Sequence, residues 1–369
     1  MKADTIVIGG GLVGAAVAYG LARVGEKVDL LDEGDLAFRA SRGNFGLVWV
    51  QTKGLKMPEY ARWTRRSADV WPEFSDNLLE ETGVSTAYHK PGGVHVCVGE
   101  EELEEQVKIL NRMNQEHGAE YYGARVLSRA ELDEMLPGLG PDVVGGTYSP
   151  HDGHTSPLYL MRALHAGLLK HDGRYHPNAR GIEIERDGAH FAVRTPAGTF
   201  TGAKVVLAAG LGNRALGEMV GLDIPVEPLK GQILVTERTA PLFTMPTHVV
   251  RQTDEGSIMI GDSHEDEGFD TTSKPRIMAD IAARALRAFP FLKDLRVVRS
   301  WAALRVMSPD GHPIYQQSET HPGAFSVNCH SGVTLAGAHA MALAPMIARG
   351  RLDDEMAAFS SRRFNVQAR

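Results

Sequence analysis

The sequence predicts an α/β fold, and three patterns along the chain indicate it. Residues 5–8 form a short apolar run that leads into a glycine-rich turn at 9–14 and then into a helical pattern. A second buried-strand pattern, at 205–207, ends near a glycine far downstream. Residues 224–261 are rich in strand-forming residues. These patterns predict a Rossmann-like domain together with a second, strand-rich part of the chain.

Composition narrows the class of protein. The chain has 369 residues, of which 43% are hydrophobic and 23% charged, so it is long enough for two cores. A net charge of −7 gives no electrostatic basis for binding nucleic acid. Cys97 and Cys329 are too few for a disulfide framework, a zinc cluster or an iron–sulfur centre within the chain. With no signal pattern and no long apolar run, we expect a cytoplasmic protein without a transmembrane segment.

The turn at 9–14 has the spacing G-x-G-x-x-G, which is typical of a dinucleotide site. Gly9 permits the tight turn, Gly11 lets the backbone approach a diphosphate, and Gly14 allows close contact between helix and strand. The amides of Leu12 and Val13 open the helix, where negative charge is favoured. Asp32 ends the next strand at the distance of a ribose ligand, with Glu33 as the near alternative. The turn does not separate NAD from FAD.

Six segments downstream of this turn occur in a characteristic order. They are the small-residue loop 40–46, the His-Asp-Gly-His turn at 151–158, the strand and glycine at 205–210, the Pro-x-x-Gly-Gln stretch at 228–232, the Trp…Arg…Pro-Asp-Gly stretch at 301–313 and the loop 328–336. Together they resemble the D-amino-acid-oxidase-like (DAO) family of FAD enzymes, which includes glycine oxidase and sarcosine oxidase. The resemblance implies FAD as the cofactor and a glycine oxidase-like fold, with a discontinuous Rossmann-like FAD-binding domain and a substrate domain that has a mainly antiparallel sheet.

The positions of these segments predict the domain organisation. They fall at the start, middle and end of the chain, so we expect the FAD-binding domain at 1–83, 146–217 and 297–369. The substrate-binding domain is expected at 84–145 and 218–296, with a charged helix at 101–117. In the cofactor domain, the resemblance implies flavin contacts by a set of small or polar residues. They are Ser41, Arg42, Asn44, Gly46, Ala209, Gly210, Gly332, Val333, Thr334 and Leu335, the last four opening a helix.

Oxidation of a carbon–nitrogen bond by hydride transfer from Cα to flavin N5 calls for a cation opposite the substrate carboxylate. Arg305 is the candidate, because a guanidinium grips a carboxylate through two parallel hydrogen bonds. His330 and Ser331 stand directly before the expected helix, and a histidine there can accept an amine proton or hydrogen-bond a carbonyl. A second group of residues is expected to line the substrate pocket. It comprises His248, Arg251 and Trp301.

Two positions depart from sarcosine oxidase. Ala303 stands where monomeric sarcosine oxidase tethers its flavin through a cysteine, so non-covalent FAD is expected. Thr334 stands where sarcosine oxidase carries a lysine, which leaves direct oxygen activation open. Two clusters resemble metal sites but lack ligand spacing, and both are interpreted as loops, the second of them exposed, so no metal is expected. They are 151–154 and 262–267.

The loop at 329–336 is most similar to flavin subunits of multi-subunit enzymes: the β-subunits of opine oxidase or dehydrogenase, D-hydroxyproline dehydrogenase and the glycine-oxidising cyanide synthase. This similarity implies a dehydrogenase of a small amino acid or opine that passes electrons to other subunits carrying an iron–sulfur or second flavin centre. Through such partners the otherwise cytoplasmic protein would become peripheral to the inner membrane. The alternatives are a peroxide-forming oxidase of glycine, sarcosine or D-amino acids, an NAD-dependent dehydrogenase, and a non-catalytic FAD-holding subunit.

Overall fold

The structure, a computed structural model, describes residues 2–34 and 40–365. Its strands are β1 Ala3–Ile8, β2 Val28–Leu31, β3 Leu47–Val48, β4 Gly93–Val98, β5 Arg125–Ser128, β6 Val143–Ser149, β7 Gly153–His154, β8 Arg174–His176, β9 Glu183–Asp187, β10 His190–Thr195, β11 Gly198–Leu207, β12 Glu227–Arg238, β13 Val250–Gln252, β14 Ser257–Gly261, β15 Val297–Met307, β16 Ile314–Gln317 and β17 Ala324–Asn328. Its α-helices are α1 Leu12–Arg23, α2 Pro58–Thr82, α3 Glu100–His117, α4 Ala119–Tyr122, α5 Arg129–Met135, α6 Pro157–Lys170, α7 Asn213–Glu218, α8 Pro275–Ala288, α9 Ala336–Ala338 and α10 Ala344–Ala348. Short 3₁₀ turns cover Gly210–Gly212, Pro290–Asp294, Asp354–Phe359 and Ser361–Phe364, and a π turn covers His339–Leu343.

A mostly parallel sheet surrounds β1, whose residues Ile6 and Val7 are fully buried because layers of side chains cover both faces. The strand order is β16-β17-β11-β1-β2-β8, with β1 parallel to both β2 and β11. Helices α1 and α6 pack together on one face. This arrangement confirms the α/β class and brings the ends of β1 and β11 side by side.

Two antiparallel sheets form the second part of the fold. One has the order β13-β14-β12-β15 and the other the order β4-β6-β5. They meet where the amide of Val94 donates to the carbonyl of Pro246 at 3.1 Å. They share a hydrophobic core with α8. The prediction of a mainly antiparallel sheet is thereby confirmed, as is the charged helix α3.

The proposed domain boundaries fall inside pairs of bonded strands. Strand β15 begins at 297, the predicted start of the last FAD-binding range, yet it pairs along its length with β12 of the predicted substrate-binding range. Strand β6 crosses the proposed boundary at 146. The division stays a proposal, and its ranges 1–83 and 297–369 include Met1, 35–39 and 366–369, which lie outside the described residues. No helix in the described part of the chain has the length and apolar character needed to cross a bilayer.

The C-terminal helix begins later than the sequence predicts, at Ala336 instead of Gly332. The hydroxyl of Ser67 on α2 causes the difference, because it inserts into the first helical turn. It donates to the carbonyl of Thr334 at 2.7 Å and accepts from the amide of Ala338 at 3.1 Å, replacing the bond these two groups would otherwise share. Trp71 also donates to the Thr334 carbonyl, at 3.0 Å. Residues 332–335 therefore form a turn held by side chains of α2.

Candidate active site

The turn after β1 requires glycine at two positions. Gly9 has φ +110°, and a Cβ atom there would lie 2.4 Å from the carbonyl oxygen of Ala208. A Cβ atom on Gly14 would lie 1.9 Å from the carbonyl oxygen of Gly9. These contacts agree with the roles predicted for the two glycines. The turn also meets the end of β11, where the predicted Ala209 and Gly210 lie.

The start of α1 offers a cradle for negative charge. Within the described chain, the amides of Gly11, Val13 and Gly14 have no acceptor, whereas the Leu12 amide donates to Ser41 Oγ at 2.9 Å. Free amides at a helix N-terminus are the groups that bind a diphosphate. Asp32 accepts from the amide of Gly10 at 2.7 Å, which places its carboxylate beside this turn. Glu33 is exposed and lies 3.8 Å from Arg180.

The loop 40–46 is fastened to the antiparallel sheet. Asn44 Oδ1 accepts from the amide of Gly46 at 2.8 Å and shapes the loop. Arg251 donates to the carbonyl of Phe45, and Trp301 Nε1 donates to the carbonyl of Gly43 at 3.1 Å. Burial lowers the pKa of Arg251 to about 10. Arg251 and Trp301, both predicted to line the substrate pocket, thus hold this loop. Arg42, in the same loop, is exposed.

The turn 332–335 reaches the first turn of α1, so distant parts of the chain enclose one space. A Cβ atom on Gly332 would lie 3.2 Å from the side chain of Val13. The amides of Gly332, Val333 and Thr334 have no acceptor among the described residues. The Trp49 amide donates to Thr334 Oγ1 at 3.1 Å and locks the turn. Leu335 is fully buried in the core.

His330 and Ser331 belong to a polar network with two residues that no sequence motif indicates. Lys53 Nζ lies 3.1 Å from His330 Nε2 and donates to Ser331 Oγ at 3.0 Å. Tyr60 donates to Ser331 Oγ at 2.9 Å, which leaves the serine proton for His330 Nε2 at 3.2 Å. Burial, with the charges of Lys53 and Arg305, lowers the pKa of His330 well below its ordinary value. The imidazole is therefore neutral at pH 7 and accepts at Nε2.

Arg305 lies on β15 with its guanidinium across Gly231. It donates to the carbonyl of Ser263 at 2.9 Å and forms an ion pair with Asp262. A Cβ atom on Gly231 would lie 2.5 Å from Arg305 Nη1, so only glycine admits this placement. The charge of Arg305 contributes to the lowered pKa of His330, so the arginine lies near the polar network.

His248 lies in a different cluster, in the antiparallel part of the fold. Its ring stacks on His95 with centroids 3.6 Å apart, and Glu102 lies 3.5 Å from His95. Ligand atoms of these three residues are within 4.8 Å of one another, which is close enough for a metal ion. Arg284 forms an ion pair with Glu102 and so supplies positive charge there already. His248 stays a predicted substrate-binding residue, but it belongs to this cluster and not to the polar network of His330.

The expectation that 262–267 forms an exposed loop is wrong in part. Glu265 is 9% exposed, and Lys230, which is fully buried, lies 3.3 Å from it and 2.5 Å from Glu267. Asp262 pairs with Arg305. No local pattern indicates these contacts, because Lys230 lies on β12, more than thirty residues earlier. In the loop 151–154, Asp152 is fully buried and accepts from Gln51 Nε2 at 2.7 Å.

A glycine turn after a parallel strand, free amides at the start of α1 and a carboxylate beside them are the arrangement of a dinucleotide-cofactor protein. Residues 4–346 match the DAO family of FAD-dependent oxidoreductases, and the chain belongs to this family. It is 46% identical over 366 residues to the B subunit of opine oxidase from Agrobacterium tumefaciens (strain Ach5), covering 99% of both chains. Identity and coverage are the same for the corresponding opine oxidase chain of Rhizobium meliloti. The crystal structure of glycine oxidase from Geobacillus kaustophilus superposes with a TM-score of 0.86 at 24% identity, covering 97% of this chain and 98% of that one.

The protein is therefore an FAD-dependent oxidoreductase of amino-acid-like compounds, with the predicted glycine oxidase-like fold. The free amides of Gly11, Val13, Gly14 and residues 332–334, together with the carboxylate of Asp32, fit the groups that FAD presents: a diphosphate, a ribose and the polar edge of a flavin. Which of the predicted residues contact the cofactor stays a proposal, as does the absence of a covalent bond.

Proposed function

We propose that this protein is the flavin subunit of an enzyme that oxidises opines, the secondary amines that join an amino acid to a keto-acid carbon skeleton. The observation that carries the proposal is the 46% identity to the B subunit of opine oxidase along 99% of both chains. Arg305 adds a group suited to the substrate carboxylate, held beside the network of Lys53, His330 and Ser331.

The reaction removes a hydride from the carbon beside the amine and a proton from the nitrogen, so the carbon–nitrogen single bond becomes an imine. Water then splits the imine into a keto acid and an amino acid. FAD, when bound, supplies the hydride acceptor. The residues of the chain orient the substrate: Arg305 grips the carboxylate next to the oxidised carbon. The neutral His330 lies beside the amine without repelling it, and Ser331 holds the imidazole in place.

The test is loss of flavin colour under anaerobic conditions. The purified, FAD-loaded protein is mixed with octopine, nopaline, glycine, sarcosine, D-proline and D-hydroxyproline in separate reactions. We expect octopine or nopaline to bleach the oxidised flavin band within seconds and the other compounds to do so much more slowly. Bleaching by glycine or sarcosine alone would reject the opine assignment in favour of the oxidase alternative.

We propose that the electrons pass to a partner subunit carrying an iron–sulfur or second flavin centre. The opine oxidase relatives are themselves subunits, which supports a multi-subunit enzyme. Reoxidation of the reduced protein by air separates the two modes. Slow reoxidation with little peroxide supports a dehydrogenase, and rapid peroxide formation supports a self-sufficient oxidase.

A further inference from the structure

Lys53 is a half-buried cation in the network of His330 and Ser331, and the proposed reaction gives it no role. It lies in a turn after β3, and its ammonium group contacts His330 at 3.1 Å and Ser331 at 3.0 Å. Both partners are neutral at pH 7, since a serine hydroxyl does not ionise and burial lowers the pKa of His330 well below its ordinary value. The contacts position the ammonium group but do not balance its charge.

The turn that carries Lys53 is held rigidly. The amide of Lys53 donates to the carbonyl of Val50 at 3.1 Å, and the amide of Thr52 donates to Tyr122 Oη at 2.8 Å. The amide of Val50 in turn donates to the buried carboxylate of Asp152 at 2.5 Å. Because the backbone of this turn is fixed and the ammonium group is hydrogen-bonded at its end, the Lys53 side chain is preorganised beside His330 and Ser331.

No carboxylate in the described part of the chain lies within ion-pair distance of Lys53. Asp152 and Asp262 attract it from further away, but Asp152 accepts from the backbone and side chain of the 50–51 stretch, and Asp262 is paired with Arg305. Arg305 itself repels Lys53, so a second cation lies near the ammonium group. A cation removed from water without a counter-ion is costly, and a bound anion removes that cost.

We propose that Lys53 is the second carboxylate anchor of the site and makes the enzyme selective for amines that carry a carboxylate on each side of the nitrogen. Arg305 binds the carboxylate on the carbon that is oxidised, and Lys53 binds the carboxylate on the other side. This inference rests on the proposed function, which assigns to Arg305 the carboxylate on the carbon that is oxidised. It adds a reason for selectivity: an amine with a single carboxylate leaves the Lys53 ammonium group unbalanced.

The experiment compares octopine with N-(1-carboxyethyl)agmatine, which is octopine without the carboxylate of its arginine half. Dissociation constants are measured on the FAD-loaded protein from the perturbation of flavin absorbance, and kcat/KM from anaerobic bleaching. We expect the wild type to prefer octopine by about 30- to 100-fold, the range of one charge-assisted hydrogen bond. In Lys53→Met the affinity for octopine falls by a similar factor, while that for the analogue changes less than about threefold, so the preference disappears.

Two further variants sharpen the result. Lys56→Met removes a lysine from the same turn region, but Lys56 is exposed, so the preference should stay at its wild-type value. Lys53→Arg keeps the charge and should retain more of the preference than Lys53→Met. Equal loss for both ligands in Lys53→Met, or loss of bound FAD, would show that Lys53 only supports the 330–331 turn and would overturn the inference.

The proposed function and the inference fail in different ways. Binding of octopine that depends on Lys53 but gives no bleaching would reject the proposed oxidation and keep the second anchor. Bleaching by octopine with no loss of preference in Lys53→Met would keep the oxidation and reject the anchor. A wild-type protein that binds neither ligand would reject both.

Discussion

The carboxylate of Asp262 holds the guanidinium of Arg305, the group that the sequence assigns to the substrate carboxylate. Asp262 follows β14 directly and is more than one-third exposed, whereas Arg305 is about one-fifth exposed. The pair thus lies at the edge of the site, with the acid on the solvent side. A substrate carboxylate that binds Arg305 has to share the guanidinium with Asp262 or displace it.

Replacing Asp262 by Asn should therefore tighten substrate binding. The change removes a competing negative charge and keeps the size of the side chain. We expect the dissociation constant for octopine to fall by about 3- to 10-fold, roughly the value of a partly exposed ion pair. Asp266→Asn, in the same loop and exposed, is the matched control and should have no effect. Weaker binding in Asp262→Asn would mean that the acid positions Arg305 and does not compete.

Replacing Arg305 by Lys should raise KM by about 10- to 100-fold and leave FAD bound. Lysine keeps the charge but cannot form two parallel hydrogen bonds, nor can it reach the carbonyls of Ser263 and Lys230 with the same geometry. Steady-state kinetics give KM, and the flavin spectrum of the purified variant reports cofactor content. An unchanged KM would remove the assignment.

The preference for octopine over its agmatine analogue should fall as pH rises through about 8. Burial lowers the pKa of Lys53 to about 8, so the side chain is charged below this value and neutral above it. Only the charged form binds a carboxylate strongly. The dissociation constants of the two ligands are measured between pH 7.5 and 9.5. The amines of the two ligands titrate at different pH, because the analogue lacks one neighbouring carboxylate, so the amine pKa of each free ligand is measured and its contribution is removed before the ratio is taken.

Other groups that face Lys53 do not account for such a change. Burial raises the pKa of Cys329 to about 12, and the pKa of His330 lies far below the range. Burial raises the pKa of Asp152 to about 7, so it is ionised over most of the range. In Lys53→Arg the change should move beyond pH 9.5, because arginine stays charged. A change that stays at pH 8 in this variant would assign it to another group.

Replacing Lys230 by Met should destabilise the fold by about 3–5 kcal/mol, because it leaves Glu265 buried without its counter-ion. Asp270, 3.0 Å from Lys230, loses the same partner. Urea unfolding of the FAD-loaded protein gives the change in free energy. Lys274→Met is the control, since Lys274 is half exposed and its pair with Glu267 should contribute less than about 1 kcal/mol. Equal effects in both variants would contradict the role of burial.

Acid precipitation should release all the FAD into the supernatant and leave a colourless pellet. Ala303, 8% exposed on β15, stands where a tethering cysteine would be needed, and it offers no sulfur. The mass of the washed protein should equal that of the 40.1 kDa chain alone. Yellow colour that remains in the pellet would show that a different residue forms the bond.

Local patterns are enough to predict most of the fold. The first strand, the glycine turn and helix α1 follow one another within 25 residues, so spacing and periodicity suffice to predict them. The strand β4 and the charged helix α3 are predictable for the same reason. The start of the C-terminal helix is not, because Ser67 acts on it from 267 residues away. The sequence of one segment does not indicate a hydrogen bond from a side chain that is distant along the chain.

The same limit explains which site residues escape prediction. Arg305, His330 and Ser331 lie in segments with recognisable motifs, but Lys53 and Tyr60 reach Ser331 across 278 and 271 residues. One signal points to Lys53: it is a cation placed three residues after the apolar run 47–50. The contacts of Asp262 and Glu265 are not predictable either, because both residues lie in the acidic run 262–267 and an acidic loop usually indicates a solvated surface.

The loop 43–46 is bonded to Arg251 and Trp301, two residues of the antiparallel sheet. Any shift of that sheet would therefore carry the loop away from the glycine turn. Retention of the cofactor should accordingly depend on the antiparallel sheet as well as on the parallel one.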